Sequence, residues 1–316
     1  MSAGQRLPGT PSPMHKWHGA DGGMIAGDSW GDPNGPLVLL QHGGGQTRHA
    51  WKGAGEVLGA AGYYAVAFDA RGHGDSDWAP DGIYSADVMV EDLKCIIAEL
   101  GGRRPVLVGA SMGGGTSLVA IGEDHIDATA LVLVDIAPQL ELDGIQKIMD
   151  FMTQTPEGFA SLQEVADAIS AFQPQRKAPK SLTGLAKNVR QGDDGMYYWH
   201  WDPKFCSVKR DLSVRYKSLT ACAKNLTLPT LLVRGGLSDV LSEEGAQGFL
   251  ELCPHSEYVS VSSAGHMVAG DRNDIFTSSV IEFLSRVVPV AGAPVHSPHE
   301  THPHHEGPEG ERFDVP

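Results

Sequence analysis

Residues 105–115 read PVLVGASMGGG, an apolar run that breaks at Gly109 and gives way to a helical pattern directly after Ser111. The run 105–109 has the length and β-branched content of a buried strand, and 112–122 has the composition of a helix. Strand, sharp turn and helix therefore follow within a few residues, with Ser111 on the turn. Gly109 and Gly113 stand two positions to either side, where side chains would clash at so tight a corner. The corner strains the serine and lifts its hydroxyl off the sheet, and the helix N-terminus behind it favours negative charge.

Working outward, short apolar runs recur at 36–41 (PLVLLQ), 63–68 (YYAVAF), 129–134 (TALVLV), 229–234 (PTLLVR) and 257–261 (EYVSV). Continuous apolar runs suit strands covered on both faces, as in a parallel sheet. Between them lie helical patterns. In 85–100, Met89, Leu93, Ile96, Ile97 and Leu100 form one stripe at three- and four-residue steps. Further helices are expected at 112–122, 242–252 and 272–286. The alternation predicts an α/β fold with a doubly wound, mostly parallel sheet, whose chemistry sits on loops beyond the carboxyl ends of the strands.

The alternation stops at about 138 and resumes near 227. Between these points helices are expected at 144–152, 161–172 (with Ser161 and Glu164 as a capping box) and 182–190. A GDDG turn at 192–195 and the aromatic cluster Tyr197, Tyr198, Trp199, His200 and Trp201 follow. The expected organisation is a flexible arm over 1–13, a core made of 14–137 and 227–288, an inserted helical lid over 138–226, and a disordered Pro- and His-rich tail over 289–316.

A formal charge of -15 opposes binding to nucleic acid and to an anionic membrane surface. The expected partner is a neutral small molecule, and the chain a monomer or homodimer. Cys95, Cys206, Cys222 and Cys253 lack disulfide or CxxC spacing and read as free thiols, Cys95 as a packing residue of its helix. The first residues contain no apolar stretch of signal-peptide length, so a cytoplasmic location is expected. The tail histidines His296, His299, His302, His304 and His305 are read as a solvated segment without a metal role, and no cofactor is expected.

A serine hydroxyl needs a base to take its proton, and that base needs a carboxylate to hold its tautomer. His266 follows the last strand and precedes the last helix, at the sheet edge that carries Ser111. Asp239, just past strand 229–234, is assigned as its acid. Asp135, just past strand 129–134, is the rival and is read as capping its own turn. The glycine loop Gln41-His42-Gly43-Gly44-Gly45-Gln46 follows the first parallel strand. It supplies the Gly44 N–H, with Met112 N–H, as the oxyanion pair, and Gly45 N–H is the alternative donor. The loop lacks the Lys-Ser/Thr of a phosphate-binding loop. Gly45, Arg48, Tyr198, Trp199, Trp201 and Met267 are the candidates for substrate contact, while Trp51 is read as packing.

His42-Gly43, the run Asp69-Ala70-Arg71-Gly72-His73-Gly74-Asp75-Ser76, the Ser111 corner, Asp239 and Gly265-His266 together resemble the α/β-hydrolase superfamily over residues 15–288. The resemblance implies a metal-independent hydrolase, with 69–76 a structural loop in which Asp75 and Arg71 pair locally. Val134-Asp135-Ile136-Ala137-Pro138 is similar to small esterases and thioesterases of that superfamily. Ser-Met-Gly-Gly-Gly is similar to its cofactor-free haloperoxidases and perhydrolases. His42-Gly43-Gly44-Gly45 is similar to its C–C hydrolases, although Met267 stands where many of those carry Trp. Ser111 sets aside the epoxide hydrolases and haloalkane dehalogenases, which have Asp there. The expectation is hydrolysis of an ester or lactone of a small, largely apolar molecule. A slow-turnover receptor built on the same triad is the rival from another class.

Overall fold

A computed structural model describes residues 4–174, 182–207, 211–271 and 273–291. The sheet strands are β1 (His15–His18), β2 (Met24–Trp30), β3 (Leu37–Gln41), β4 (Tyr64–Phe68), β5 (Val106–Ala110), β6 (Ala130–Val134), β9 (Thr230–Gly235) and β10 (Glu257–Val261), and β7 (Val189–Gln191) pairs with β8 (Tyr197–Trp199) in a separate hairpin. The eight strands lie in the order β1-β2-β4-β3-β5-β6-β9-β10. β4 through β10 run parallel, and β1 and β2 are added antiparallel at one edge. All six predicted strands are present, each within one residue of its expected bounds. The edge pair β1 and β2 was not anticipated, because MIAGDSW and HKWH alternate too weakly to be read as strands.

Alternate residues of each strand feed two cores. Leu39, Leu107, Leu131 and Leu133 face helices α2 (Ala86–Glu99), α3 (Met112–Gly122), α7 (Leu212–Lys224) and α8 (Glu243–Leu252). Val38, Leu40, Val106, Val108 and Val132 face α1 (Lys52–Ala60) and α10 (Asn273–Val287). This is why the strands read as unbroken apolar runs: both faces are buried. The chain steps from β3 to β4 on one side and then to β5 on the other. That reversal opens the crevice between β3 and β5, where ligands of such sheets collect.

The insert between β6 and β9 contains α4 (Leu142–Thr153), α5 (Leu162–Phe172), a 3-10 turn (Leu182–Asn188), the β7–β8 hairpin and α6 (Pro203–Ser207). Ser161 Oγ caps α5 by accepting from Glu164 N–H at 3.2 Å. The Glu164 carboxylate returns to Ala160 N–H, one residue before the position a capping box requires. The expected helix 182–190 is instead a 3-10 turn running into β7. The insert also ends sooner than expected: Leu219, Cys222 and Ala223 of α7 join the sheet core, so this helix is a crossover of the core and not part of the lid. The cap has its own core of Met152, Phe159, Val165, Val189, Trp199, Trp201 and Phe205.

Within 1–13, expected as a flexible arm, residues 5–7 are held. Gln5 exchanges two backbone hydrogen bonds with Gln191 of β7, Arg6 pairs with Asp75 at 3.0 Å, and Leu7 is buried in the cap core. Residues 292–316, nearly all of the expected tail and all five of its histidines, lie outside the described residues. Among the described residues no helix is long and apolar enough to cross a membrane.

Candidate active site

Ser111 leaves β5 with φ 46° and ψ -109°, far from any region an L-residue prefers, and α3 begins at the next residue. A Cβ on Gly109 would stand 2.4 Å from the Gly113 carbonyl, and one on Gly113 would stand 2.5 Å from Gln41 O. Only glycine fits either position, so the G-x-S-x-G spacing is a packing requirement of the corner. Strain of this kind persists only where neighbours over-determine the backbone. Here Ser111 N–H donates to Val134 O at 3.1 Å, tying the corner to the end of β6.

The next residue on β6 is Asp135, fully buried and also at positive φ, 53°. Its Oδ2 lies 2.5 Å from His266 Nδ1. Ser238 Oγ donates to the same oxygen and Gly235 N–H donates to Oδ1 at 2.9 Å. Three donors thus converge on one carboxylate. With Nδ1 donating to Asp135, the ring is held with its Nε2 as the acceptor nitrogen.

This overturns the assignment of Asp239. That side chain is 54% exposed and pairs with Lys147 of α4 at 2.8 Å. The loop after β9 serves the site through Gly235 and Ser238, which hold Asp135, and not through its own carboxylate. Both aspartates lie on loops that follow a strand at the same sheet edge, and sequence position does not tell which one the histidine loop meets.

The glycine loop lies against the corner, since a Cβ on Gly43 would stand 3.3 Å from Ser111 Cβ. Gly43 N–H donates to Gln46 Oε1 and Gly45 N–H donates to His73 Nε2. Gly44 N–H is engaged by none of the described residues. Met112 N–H, the first of α3, has no partner within its helix. Neither of the two amides expected as an oxyanion pair is thus committed to a loop or helix hydrogen bond among the described residues. Gly45, the alternative donor, is committed elsewhere.

The expected substrate contacts divide. Arg48 does not face a pocket: it is fully buried, with Asp28 at 2.9 Å, Asp69 at 2.6 Å and Asp75 at 2.9 Å around its guanidinium. Asp75 also receives Arg190 and Arg6. The local pairing expected between Asp75 and Arg71 is absent, because Arg71 binds Asp92 of α2 through two nitrogens. Tyr198 packs over the Gly158 and Gly192 turns and donates its hydroxyl to Asp194 at 2.6 Å. Trp199 and Trp201 stack at 4.9 Å inside the cap core, and Trp201 Nε1 donates to Met152 O. Met267 accepts at its sulfur from Gln173 at the end of α5, so it joins the histidine loop to the cap. Trp51 is buried, as expected of a packing residue.

Sequence reasoning missed Met152 and Phe205, which cover the glycine loop. A Cβ on Gly44 would meet the Phe205 ring at 3.4 Å, and one on Gly45 would meet Met152 at 3.3 Å. Neither residue sits in a motif, and only the fold of the cap brings them there. Both belong to the cap core, against which Met112 also packs, so apolar side chains lie beside the glycine loop. Among the described residues no three His, Cys, Asp or Glu side chains are grouped as a metal site.

A strained serine and a histidine held by a buried aspartate, both at the carboxyl edge of a doubly wound sheet, define a protein of the hydrolase type. The family described as alpha/beta hydrolase fold matches residues 36–272, and the chain belongs to it. It is similar to an esterase of Mycobacterium tuberculosis, at 30% identity over 84% of this chain and 87% of that protein. The crystal structure of that esterase superposes with a TM-score of 0.68 at 27% identity, over 88% of this chain and 93% of that one. The chain is also similar to the 3-hydroxybutyrate-oligomer hydrolase of Cupriavidus necator, at 27% identity over 77% of this chain and 86% of that protein. The solved structure of E-2-(acetamidomethylene)succinate hydrolase shares the fold, with a TM-score of 0.74 at 22% identity, over 86% of this chain and 98% of that one.

Proposed function

We propose that the chain is a serine esterase for small esters with an apolar acyl group, working through an acyl-enzyme. The observation that carries the reading is the 2.5 Å contact of His266 with buried Asp135, next to the strand end that anchors Ser111. In this reading Ser111 Oγ attacks the ester carbonyl while His266 Nε2 takes its proton, and Asp135 stabilises the imidazolium. The amides of Gly44 and Met112 receive the oxyanion. His266 then returns the proton to the leaving alcohol. A water deprotonated by the same histidine attacks the acyl-Ser111 carbonyl, and the proton passes back to Ser111 as the acid leaves.

The wall of Met112, Met152 and Phe205 beside the glycine loop supports an apolar acyl group, since such a surface gives no partner to a charged one. Similarity to an esterase and to a hydrolase of hydroxybutyrate oligomers supports carboxylic esters as the bond class.

The test is Ser111→Ala against p-nitrophenyl butyrate and a fluorophosphonate probe. Loss of both turnover and labelling is expected. Labelling retained at another residue would remove Ser111 from the role. A burst of one equivalent followed by near silence in the unaltered protein would favour a receptor.

A further inference from the structure

In a trans peptide the N–H and C=O point in opposite directions, so holding one end aims the other. Three successive peptides of the glycine loop are each held by a different histidine. The carbonyl of the 43–44 peptide lies 2.8 Å from His42 Nδ1 and also accepts from Gln46 N–H. The N–H of the 44–45 peptide donates to His73 Nε2 at 3.1 Å. The carbonyl of the 45–46 peptide lies 3.2 Å from His200 Nε2.

The other nitrogen of each ring is spent on the loop that follows β4. His42 Nε2 accepts from Ala70 N–H at 2.9 Å, and His200 Nδ1 accepts from Gly74 N–H at 2.8 Å. His73 Nδ1 faces Arg71 O at 3.1 Å. Backbone groups thereby dictate every tautomer. His42 and His73 carry the proton on Nδ1, and His200 carries it on Nε2. A second proton on any ring would place N–H against a backbone N–H. The rings form one layer, with His73 centred 5.2 Å from His42 and 5.9 Å from His200. All three are buried.

We propose that His42, His73 and His200 are positioning residues that clamp the 43–46 loop so that Gly44 N–H is the donor left facing the site. The proposal rests on the reading of Gly44 as an oxyanion donor. His42 and His73 come from the sheet loops, but His200 comes from the cap, directly after β8. Seating the cap therefore completes the clamp, and the apolar wall and the oxyanion donor are set by one docking event. The charges around the layer are Asp69 and Arg48 near His42, and Arg190 near His200. Burial lowers the pKa of both His42 and His200. Arg48 acts the same way at His42, and His73, Arg190 and His42 do so at His200, while Asp69 and the carbonyl contacts act against it, so both rings are held in the neutral form the clamp needs.

Two measurements on the full chain test this. Histidine ring nitrogen NMR at pH 7 on the unaltered protein should find Nδ1–H for His42 and His73 and Nε2–H for His200. A cationic ring, or the opposite tautomer at any of the three, overturns the proposal whether or not any variant folds. Kinetics of His200→Leu and His200→Gln with p-nitrophenyl butyrate form the second test. Losing a whole oxyanion donor costs about 10²–10³ in kcat, so His200→Leu, which only loosens one, should lose about 10–10² with KM little changed. Inhibition by a boronic acid, whose tetrahedral adduct sets an oxygen in the hole, should weaken by a similar factor. His200→Gln keeps an N–H for the Gly45 carbonyl and should recover most of kcat. An unchanged kcat in His200→Leu, or a loss in KM alone, overturns the clamp. Turnover that survives Ser111→Ala sinks the esterase reading instead, and the tautomers still report on the clamp.

Discussion

Ser111 and Asp135 end neighbouring strands with φ of 46° and 53°, and the Ser111 N–H donates to the carbonyl of Val134, the residue before Asp135. Two adjacent strands of a parallel sheet are thus both bent into the left-handed region at one edge. Each such residue costs on the order of 1–3 kcal/mol, a cost offset by the bonds that hold it. For Asp135 those are Gly235 N–H, the Ser238 hydroxyl and His266.

Asp135→Asn should therefore lower kcat/KM by about 10⁴, the loss seen when a triad carboxylate is neutralised with its shape kept. Asp239→Asn should leave kcat/KM near that of the unaltered protein, since its partner is an exposed lysine. Steady-state kinetics of the two variants decides the matter. A larger loss at 239 would return the acid to the β9 loop.

Arg48 compensates three carboxylates in the buried network under the glycine loop. Arg48→Met should cost about 3–5 kcal/mol in urea unfolding, because Asp28, Asp69 and Asp75 are left without their shared cation. A stable variant with a raised KM would instead mark Arg48 as a substrate contact.

The arm bears on stability in the same way. Deleting residues 1–7 removes Leu7 from the cap core, Arg6 from Asp75 and the Gln5–Gln191 pairing. Burial of one leucine is worth about 2 kcal/mol, so a clear drop in Tm is expected. An unchanged Tm would mean the arm adds nothing to the seating of the cap.

Acid should weaken the fold through the buried histidines. Burial lowers the pKa of His42 and takes that of His200 well below its ordinary value, while half-buried His49 shifts the same way. In the unfolded chain a histidine titrates at about 6.5. Below that pH, and above the lowered native values, the unfolded state binds more protons, so stability present at neutral pH is lost as pH falls. Each such proton contributes a slope of about 1.4 kcal/mol per pH unit. Urea unfolding from pH 7 to pH 5 should show this decline, and His200→Gln should show a shallower one. Equal slopes in the two proteins would mean His200 is already charged in the fold.

What the linear chain determined is whatever depends on neighbours in sequence. Apolar runs placed six strands, the 3.6-residue stripe placed α2, and the glycines at 109 and 113 marked the Ser111 corner, because these follow from local sterics and from burial of both strand faces. Gly44 and Met112 could be named as oxyanion candidates for the same reason: each stands a few residues from a predicted strand end. The tertiary structure alone decided between Asp135 and Asp239, since both follow a strand at the same edge and the loop bearing His266 reaches only one. It also decided the fate of Arg48, Tyr198, Trp199 and Trp201, whose partners lie in distant segments. Above all it placed His200, about 155 residues along the chain from Gly45, against that glycine's carbonyl. No local pattern encodes such a contact, because it exists only when the cap's own core has formed and docked on the sheet.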